Sequence, residues 1–455
     1  MQVQETLSDG LRREFKVVLP AVDIDAKVGA RLSELRNQVQ IRGFRPGKVP
    51  VEHLKRLYGR SVTAETIDTM VADANAQIID DNKFRIATEP KVTLPTEEDE
   101  VKAVIDGKSD LAYTVALEIL PRIEIADLRS IKLEKRVAAV PESEVDEALE
   151  GLVKQNRPYA PKAEGAKAEE GDRVVVSFVG TIDGQPFEGG TGDDISVEIG
   201  SNTFIPGFEE QLIGIAAGDT RAVEVTFPHN YMNPHLAGKA ASFQVTAKGI
   251  NGPGAVEVND EFAKSLGLES LEKLRDALRQ RLQQEYSAIT RRRLKRALLD
   301  ALDELHQFEL PPTLAQEEFN NVWSTVESDL KSQNRTFEDE GTTAEKASEE
   351  YRKLADRRVR LGLVLAEIGD KNQIKVTDEE VSRAVVERAR QFPGQEREVW
   401  DYYRKNASAL AGLRAPLFEE KVVDYVLELA FVAEKEISRD ELFKEDEVDE
   451  SKAAS

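Results

Sequence analysis

Between Gly171 and Gly249 the chain changes texture, and no other feature of the sequence restricts its fold as much. Short runs of β-branched and aromatic residues (VVVSFVG, ISVEIG, AVEVTF and ASFQVTAKG) alternate with clusters of Gly, Asp, Asn and Pro. Runs of this kind read as strands, and the clusters between them as turns. The Asp183–Gly184 pair between GTI and QPFEGG predicts a tight hairpin. One helical turn, around Gly207 to Ile213, interrupts the strands. The block therefore reads as a small β domain, over 161–250, set inside a longer chain of different character.

Upstream, residues 1–112 read as an α+β domain. Arg12 to Leu19 alternates loosely like a strand and stops at Pro20. Asp23 is placed to cap a helix carrying Ile24, Val28, Leu32, Leu35 and Val39 at three-to-four-residue spacing. A turn-rich stretch, IRGFRPGKVP, precedes two helical stretches near 51–58 and 61–82, and Leu111 to Leu120 reads as a strand. A connector over 113–160 follows. Pro121 breaks the strand there, and Pro141 suits the first turn of a short helix through Val145, Leu149 and Val153. The stretch YAPKAEGAKAEEG forms an exposed lead-in to the β domain.

After Pro253 the pattern over 251–439 is helical. Leu271, Leu274, Leu278 and Leu282 make one stripe, and Leu294, Leu298, Leu302 and Leu305 another. Pro311–Pro312 ends that helix, and Thr313 with Gln316 reads as a capping box for a helix carrying Phe319, Val322, Trp323, Val326 and Leu330. Thr377 with Glu380 reads as a second box. A last helix is expected from Pro416 to Ala433. Beyond Asp440 acids dominate (Asp440, Glu441, Glu445, Asp446, Glu447, Asp449, Glu450), so 440–455 is expected to be a disordered tail. The fold class is thus multidomain α+β.

Composition narrows the function classes. At 455 residues the chain is too long for one core and suggests roughly three domains. Its 62 Lys and Arg against 85 Asp and Glu leave a formal charge of −23, which repels nucleic acid and anionic membranes except at a local patch of opposite sign. The absence of cysteine removes disulfides, thiol nucleophiles and zinc–thiolate sites. The four histidines (His53, His229, His235, His306) are scattered. Only His229 and His235 share a segment, without a third ligand, so neither a metal nor a cofactor is expected. No run of about 18 apolar residues occurs and the first residues lack a signal-peptide core, which makes the cytoplasm the expected compartment.

The β block can carry chemistry without any nucleophile. Rotating an X–Pro bond faces a barrier of about 18–20 kcal/mol set by amide resonance. An apolar trough that desolvates the imide and prefers the twisted bond is enough to lower it. Aromatic residues on a small sheet also describe many ordinary cores, so spacing alone leaves both readings open. The local sequences go further. VSFVGTIDGQPFEGG, VEIGSNTFIPGFEEQLIG, VTFPHNYM and ASFQVTAKG occur in order over about 75 residues and closely resemble the FK506-binding (FKBP) class of prolyl isomerases. The resemblance implies a proline pocket lined by Phe178, Phe187, Glu188, Ile195, Phe204, Ile205, Phe208, Tyr231, Leu236 and Phe243, with Phe208 as its floor. Phe178 stands where a Tyr is usual and lacks its hydroxyl, and Glu188 where an Asp is usual. The loop after Tyr231 is shorter than the family's.

The patch of opposite sign lies between Arg31 and Arg60. Eight Lys and Arg (Arg31, Arg36, Arg42, Arg45, Lys48, Lys55, Arg56, Arg60) face only Glu34 and Glu52, a window of +6. It brackets the turn GFRPGKVP, whose Phe44 reads as an apolar anchor, with Arg45 and Lys48 as partners for phosphate or carboxylate. A lone basic helix face is more often simply solvated. GFRPGKVP, however, resembles the ribosome-binding signature of the trigger factor family, which sets this loop ahead of an FKBP-type domain and a helical domain, in the order found here. The resemblance implies docking through Gly43, Phe44, Arg45, Pro46 and Lys48 beside the ribosomal exit tunnel, on ribosomal protein and rRNA. Pro46 stands where a Lys occurs in the family.

By the same resemblance the helical region is a cradle for nascent and unfolded polypeptides, with relevance to protein export. The connector packs back against it, no membrane is engaged, and a homodimer is open to the free protein. Periodicity alone does not separate cradle-facing leucines from core leucines. A free prolyl isomerase with recruiting domains and an RNA-binding factor using the basic window are the competing readings. The latter lacks an RNP-type aromatic strand or a KH loop.

Overall fold

The computed structural model describes residues 1–39, 44, 49–228, 231, 233, 236–333 and 335–444. The chain divides into two compact units, one formed by Met1–Glu134 with Arg293–Ala433, the other by Lys135–Arg292 with the residues from Glu434 onward.

The first unit opens with an antiparallel hairpin, β1 (Gln2–Asp9) and β2 (Arg12–Leu19). Two helices follow, α1 (Ala21–Gln38) and α2 (Val51–Asn82), then β3 (Lys91–Thr93), α3 (Glu98–Ile105) and β4 (Leu111–Glu118). The four strands order as β1-β2-β4-β3. Alternation in β4 puts Leu111, Tyr113, Val115 and Leu117 on one buried face. There they meet Phe15, Val17 and Leu19 of β2, Ile24, Val28 and Leu32 of α1, and Leu54, Met70, Ala74 and Ile78 of α2. Asp23 is not the cap of α1. The helix starts at Ala21 behind Pro20, whose ring presets φ, and Asp23 lies inside the first turn, where a negative charge still favours the helix dipole. The two stretches expected near 51–58 and 61–82 are one helix, because buried Leu54 and Val62 hold both sides of Gly59 to the same core.

The second unit holds β5 from Lys135 on (β5 is Lys132–Val137), α4 (Glu142–Gln155), β6 (Tyr159–Pro161), β7 (Arg173–Ile182), β8 (Gln185–Glu198), β9 (Thr220–Thr226) and β10 (Ala240–Pro253). The sheet runs β6-β10-β7-β8, with β9 also on β10, and its recorded ladders are antiparallel. Asp183 and Gly184 take φ of 49° and 77° and close the β7–β8 hairpin, with Ile182 opposite Gln185. Among the described residues the core of this domain draws only on those between 168 and 250, including Val174, Val176, Val197, Phe208, Leu212, Ile215, Val223, Val245 and Ala247.

Helices complete both units: α5 (Asp260–Ser265), α6 (Leu271–Leu305), α7 (Pro312–Ser332), α8 (Ala344–Lys371), α9 (Asp378–Arg390), α10 (Glu396–Lys405) and α11 (Ala407–Leu429). Then come β11 (Phe431–Glu436), which pairs with β5, and a short helix over 439–444. In the second unit Val145 and Leu149 of α4 pack on Phe262 of α5 and on Leu274 and Leu278 of α6. In the first unit Leu294, Leu298 and Leu302 of α6 pack with Leu361, Val364, Leu365 and Ile368 of α8, Val422, Val423 and Val426 of α11, and the connector residues Leu128, Ile131 and Leu133. Phe319, Trp323, Phe337 and Tyr351 make a separate aromatic core between α7 and α8.

Three further expectations are corrected. Thr313 does not form a capping box with Gln316. Its N–H and hydroxyl donate instead to the Glu118 carboxylate at 2.9 and 2.7 Å, and α7 starts at Pro312. The last helix starts at Ala407, not Pro416. Proline displaces the carbonyl four residues earlier, and here that is Gly412, an exposed position where the freed oxygen stays open to solvent. Residues 440–444, expected to be disordered, continue a helix whose Leu442 is fully buried beside Ala138 and Tyr286.

Candidate functional site

A cavity of about 570 Å³ opens on the β domain of the second unit. Nine of the ten residues expected to form a proline pocket line it: Phe178, Phe187, Glu188, Phe204, Ile205, Phe208, Tyr231, Leu236 and Phe243. The tenth, Ile195, does not. It lies on β8, the last strand of the sheet, with no strand beyond to cover it, and is 36% exposed although its ladder partner Val176 is fully buried. Just before it Asp194 takes φ of 54°, and two residues of β8 are passed over in the ladder between Ile195 and Gly192.

The aromatic rings brace one another. Phe208, buried at the base, stacks on Phe204 (5.5 Å between centroids, 17°) and meets Phe178 and Phe243 edge-on at 6.1 and 5.5 Å. Phe187 contacts Phe227 and Phe243 edge-on, and Phe227 lies 4.7 Å from the Tyr231 ring. Edge-to-face contacts match the positive rim of one ring to the negative face of the next, so the rings hold a fixed arrangement. The close approach needs glycine. A Cβ on Gly180 would lie 2.5 Å from the Phe243 ring, and one on Gly192 would lie 2.7 Å from Phe178.

Sequence reasoning passed over Thr203, Pro206, Phe227, Pro228 and Asn233, which also line the cavity. It also passed over Glu209, which supports the cavity from behind and is only 4% exposed. The Glu209 carboxylate accepts from the N–H groups of Gly200, Asn202, Thr203 and Phe204 at 2.9 to 3.1 Å and from the Ser201 hydroxyl at 3.1 Å. Burial alone would push this carboxyl up. The donors from Phe204, Asn202, Ser201 and Thr203 outweigh burial and hold it below its ordinary value. The loop that carries Phe204 and leads into Ile205 is thereby fixed by one side chain. The Ile205 N–H itself makes no hydrogen bond among the described residues. An apolar, aromatic-walled cavity with a free backbone donor on its rim can desolvate a planar imide and grip its carbonyl, without acid, base or metal.

Of the docking turn, Phe44 is described and is 38% exposed, its ring 5.2 Å from that of His53 at 41°. Gly43, Arg45, Pro46 and Lys48 lie outside the described residues, as do His229 and His235. Among the described residues no group of three or more metal-ligating side chains occurs, and no helix is long and apolar enough to cross a membrane.

Fold and cavity together define an FKBP-type peptidyl-prolyl cis-trans isomerase domain within a larger chain. Residues 164–248 match the family of that description, residues 1–152 match bacterial trigger factor protein, and residues 270–428 match its C-terminus. The trigger factor of Bradyrhizobium diazoefficiens is 60% identical over 453 residues, and that of Rhodopseudomonas palustris strain BisB18 is 59% identical, each alignment covering both chains in full. A solved structure from work on promiscuous substrate recognition by the trigger factor chaperone shares the fold. It has a TM-score of 0.56 at 22% identity, covering 94% of this chain and 99% of the other. The chain belongs to the trigger factor family. It is a ribosome-associated chaperone of nascent chains with prolyl isomerase activity of the FKBP type.

Proposed function

We propose that isomerisation takes place in the aromatic cavity, with Phe178, Phe187, Phe204, Phe208 and Phe243 walling the proline ring and Ile205, Tyr231 and Leu236 closing its sides. Desolvation favours the twisted imide, because the planar amide carries the larger dipole and loses more solvation on leaving water. The free Ile205 N–H donates to the substrate carbonyl, and Glu188 at the rim faces the flanking peptide. The observation that carries this reading is the convergence of nine residues on one cavity of about 570 Å³.

Residues 1–112 serve as the ribosome-docking domain, with Phe44 as the apolar anchor and Gly43, Arg45, Pro46 and Lys48 as the turn around it. The region over 251–439, with the connector packed on it, shelters unfolded chains. It works in the cytoplasm, partly ribosome-bound, and protein export and cell division are the processes in which such sheltering matters. The free protein is able to pair with a second copy.

One crossed experiment tests both sites. Full-length Phe208→Ala and Phe44→Ala are compared with the parent in tetrapeptide isomerisation and in co-sedimentation with 70S ribosomes. Phe208→Ala is expected to lower kcat/KM about tenfold or more, each decade being about 1.4 kcal/mol of lost transition-state stabilisation, with ribosome binding kept. Phe44→Ala is expected to do the reverse. Parental behaviour of either variant in its own assay removes that assignment.

A further inference from the structure

The basic window extends past the turn onto α2, and there the helix sorts its charges by face. His53, Arg56, Leu57 and Arg60 stand at positions i, i+3, i+4 and i+7, so they share one stripe. Leu54, Val62, Thr66 and Met70 are buried on the opposite side. The stripe is open to solvent: Arg56 and Arg60 are exposed and Leu57 is 54% exposed. Its first member, His53, carries the Phe44 ring at 5.2 Å, which joins the tip of the turn to the start of the stripe.

Three nearby cations are already engaged. Arg31 is held by Glu34 and Glu65 at 3.1 and 2.8 Å, Lys27 by Asp73 at 3.2 Å, and Lys55 by Asp25 at 3.6 Å. Arg56 and Arg60 form no ion pair among the described residues. Asp106, the acid that feels Arg60, is already bound by Lys108 at 3.0 Å. Two uncommitted guanidinium groups, one turn apart on an otherwise strongly acidic molecule, fit a ladder of negative charges.

We propose that the ribosome-docking surface continues from Phe44 along this face of α2, and that Arg56 and Arg60 bind the phosphate backbone of ribosomal RNA. Leu57, between them, keeps water out of the contact. The inference rests on the assignment of Phe44 as the docking anchor and adds a second element and a partner chemistry to it. Guanidinium contacts with phosphates release condensed counterions, so they leave a signature in salt dependence that an ordinary protein contact does not.

The test titrates full-length Arg56→Gln/Arg60→Gln against 70S ribosomes as KCl rises from about 50 to about 200 mM. Loss of two phosphate contacts is expected to make the plot of log affinity against log salt shallower by about 1.4 to 1.8. The parent then loses about 7- to 12-fold more affinity than the variant across that range. Arg56→Lys/Arg60→Lys keeps the charge and is expected to restore the slope. Thermal stability and tetrapeptide isomerisation should stay at parental values, since both positions are exposed on another domain. Unchanged affinity and slope in the Gln pair overturn the proposal. Weaker binding with the parental slope also overturns it, because the stripe then meets a protein surface. Phe44→Ala is run alongside. If it binds normally, the docking assignment itself fails; if it weakens binding while the Gln pair does not, only the extension fails.

Discussion

Glu209 has the most demanding environment of any residue around the cavity, since five donors converge on one nearly buried carboxylate. Glutamine in its place keeps the size but has one carbonyl oxygen and turns an NH₂ toward groups that also donate. Glu209→Gln is expected to destabilise the isomerase domain by about 3 kcal/mol, the scale of lost charge-assisted bonds with buried donors left unpaired. Isomerase activity should fall with it, because Phe204 and Ile205 lose their support. The folded carboxyl is held below its ordinary value of 4.5, so its stabilisation is fully present above that value and is lost as pH falls through the lower folded one. Urea midpoints measured by isomerase activity should therefore drop on acidification in the parent, and Glu209→Gln should flatten that acid step. A parental midpoint in the variant would remove Glu209 from this role. The rings around the cavity were legible only through the ordered motifs that carry them and resemble the FKBP class, since aromatic residues on a small sheet otherwise read equally well as core. Glu209 was not, since a glutamate in a chain with 32% charged residues reads as surface until its donors are seen. Ile195 is the expected residue that does not line this cavity. Its residue type suits a pocket, but its place on the last strand of the sheet is a tertiary fact.

Among the helices, two sequence patterns of the same kind came out differently. Thr377 and Glu380 form the expected capping box, with the Glu380 N–H donating to the Thr377 hydroxyl at 3.3 Å and the Thr377 N–H to the Glu380 carboxylate at 2.8 Å. Thr313 and Gln316 do not, because Glu118 at the end of β4 takes both Thr313 donors. A charged acceptor brought in by the fold outcompetes a neutral one supplied by the sequence. The surviving box has a measurable consequence. The Thr377 N–H and then Lys421 hold the Glu380 carboxyl down to about 2 from an ordinary 4.5. Its contribution to the α9–α11 pairing is therefore complete above about pH 4.5 and is lost as pH falls toward about 2. Thr377→Ala is expected to cost about 1 kcal/mol through the lost cap. Hydrogen exchange at the first turn of α9 should rise in that variant at neutral pH, and in the parent only on acidification. Equal protection in both proteins at pH 7 would show that the box does not hold the helix end.

For the molecule as a whole, the way each core is assembled decides which parts can act alone. Among the described residues the core of the β domain uses those between 168 and 250 and no others, so its apolar contacts are made within one stretch of chain. The helical core of the first unit instead gathers four distant stretches, around Leu128–Leu133, Leu294–Leu302, Leu361–Ile368 and Val422–Val426. This is why the β domain was readable from local sequence and the helical one only as stripes. Leu294, Leu298 and Leu302 prove to be core while Leu305, on the same stripe, is 47% exposed, and nothing in the periodicity separates them. The difference has a direct test. The Gly254 N–H bonds the Pro158 carbonyl at 2.7 Å and closes the domain at its base, so a fragment spanning 158–254 contains the whole sheet and cavity. Fragments of about 100 residues with a single core fold alone, and this one is expected to unfold cooperatively and isomerise a tetrapeptide at the parental rate. It should have no ability to suppress aggregation of an unfolded protein, because the helices proposed to shelter such chains are absent. A fragment spanning 293–433 has lost the connector strand that completes its core and is expected to show no cooperative transition. If the first fragment fails to fold while the second melts cooperatively, the two cores depend on the rest of the chain in the opposite order to the one argued here.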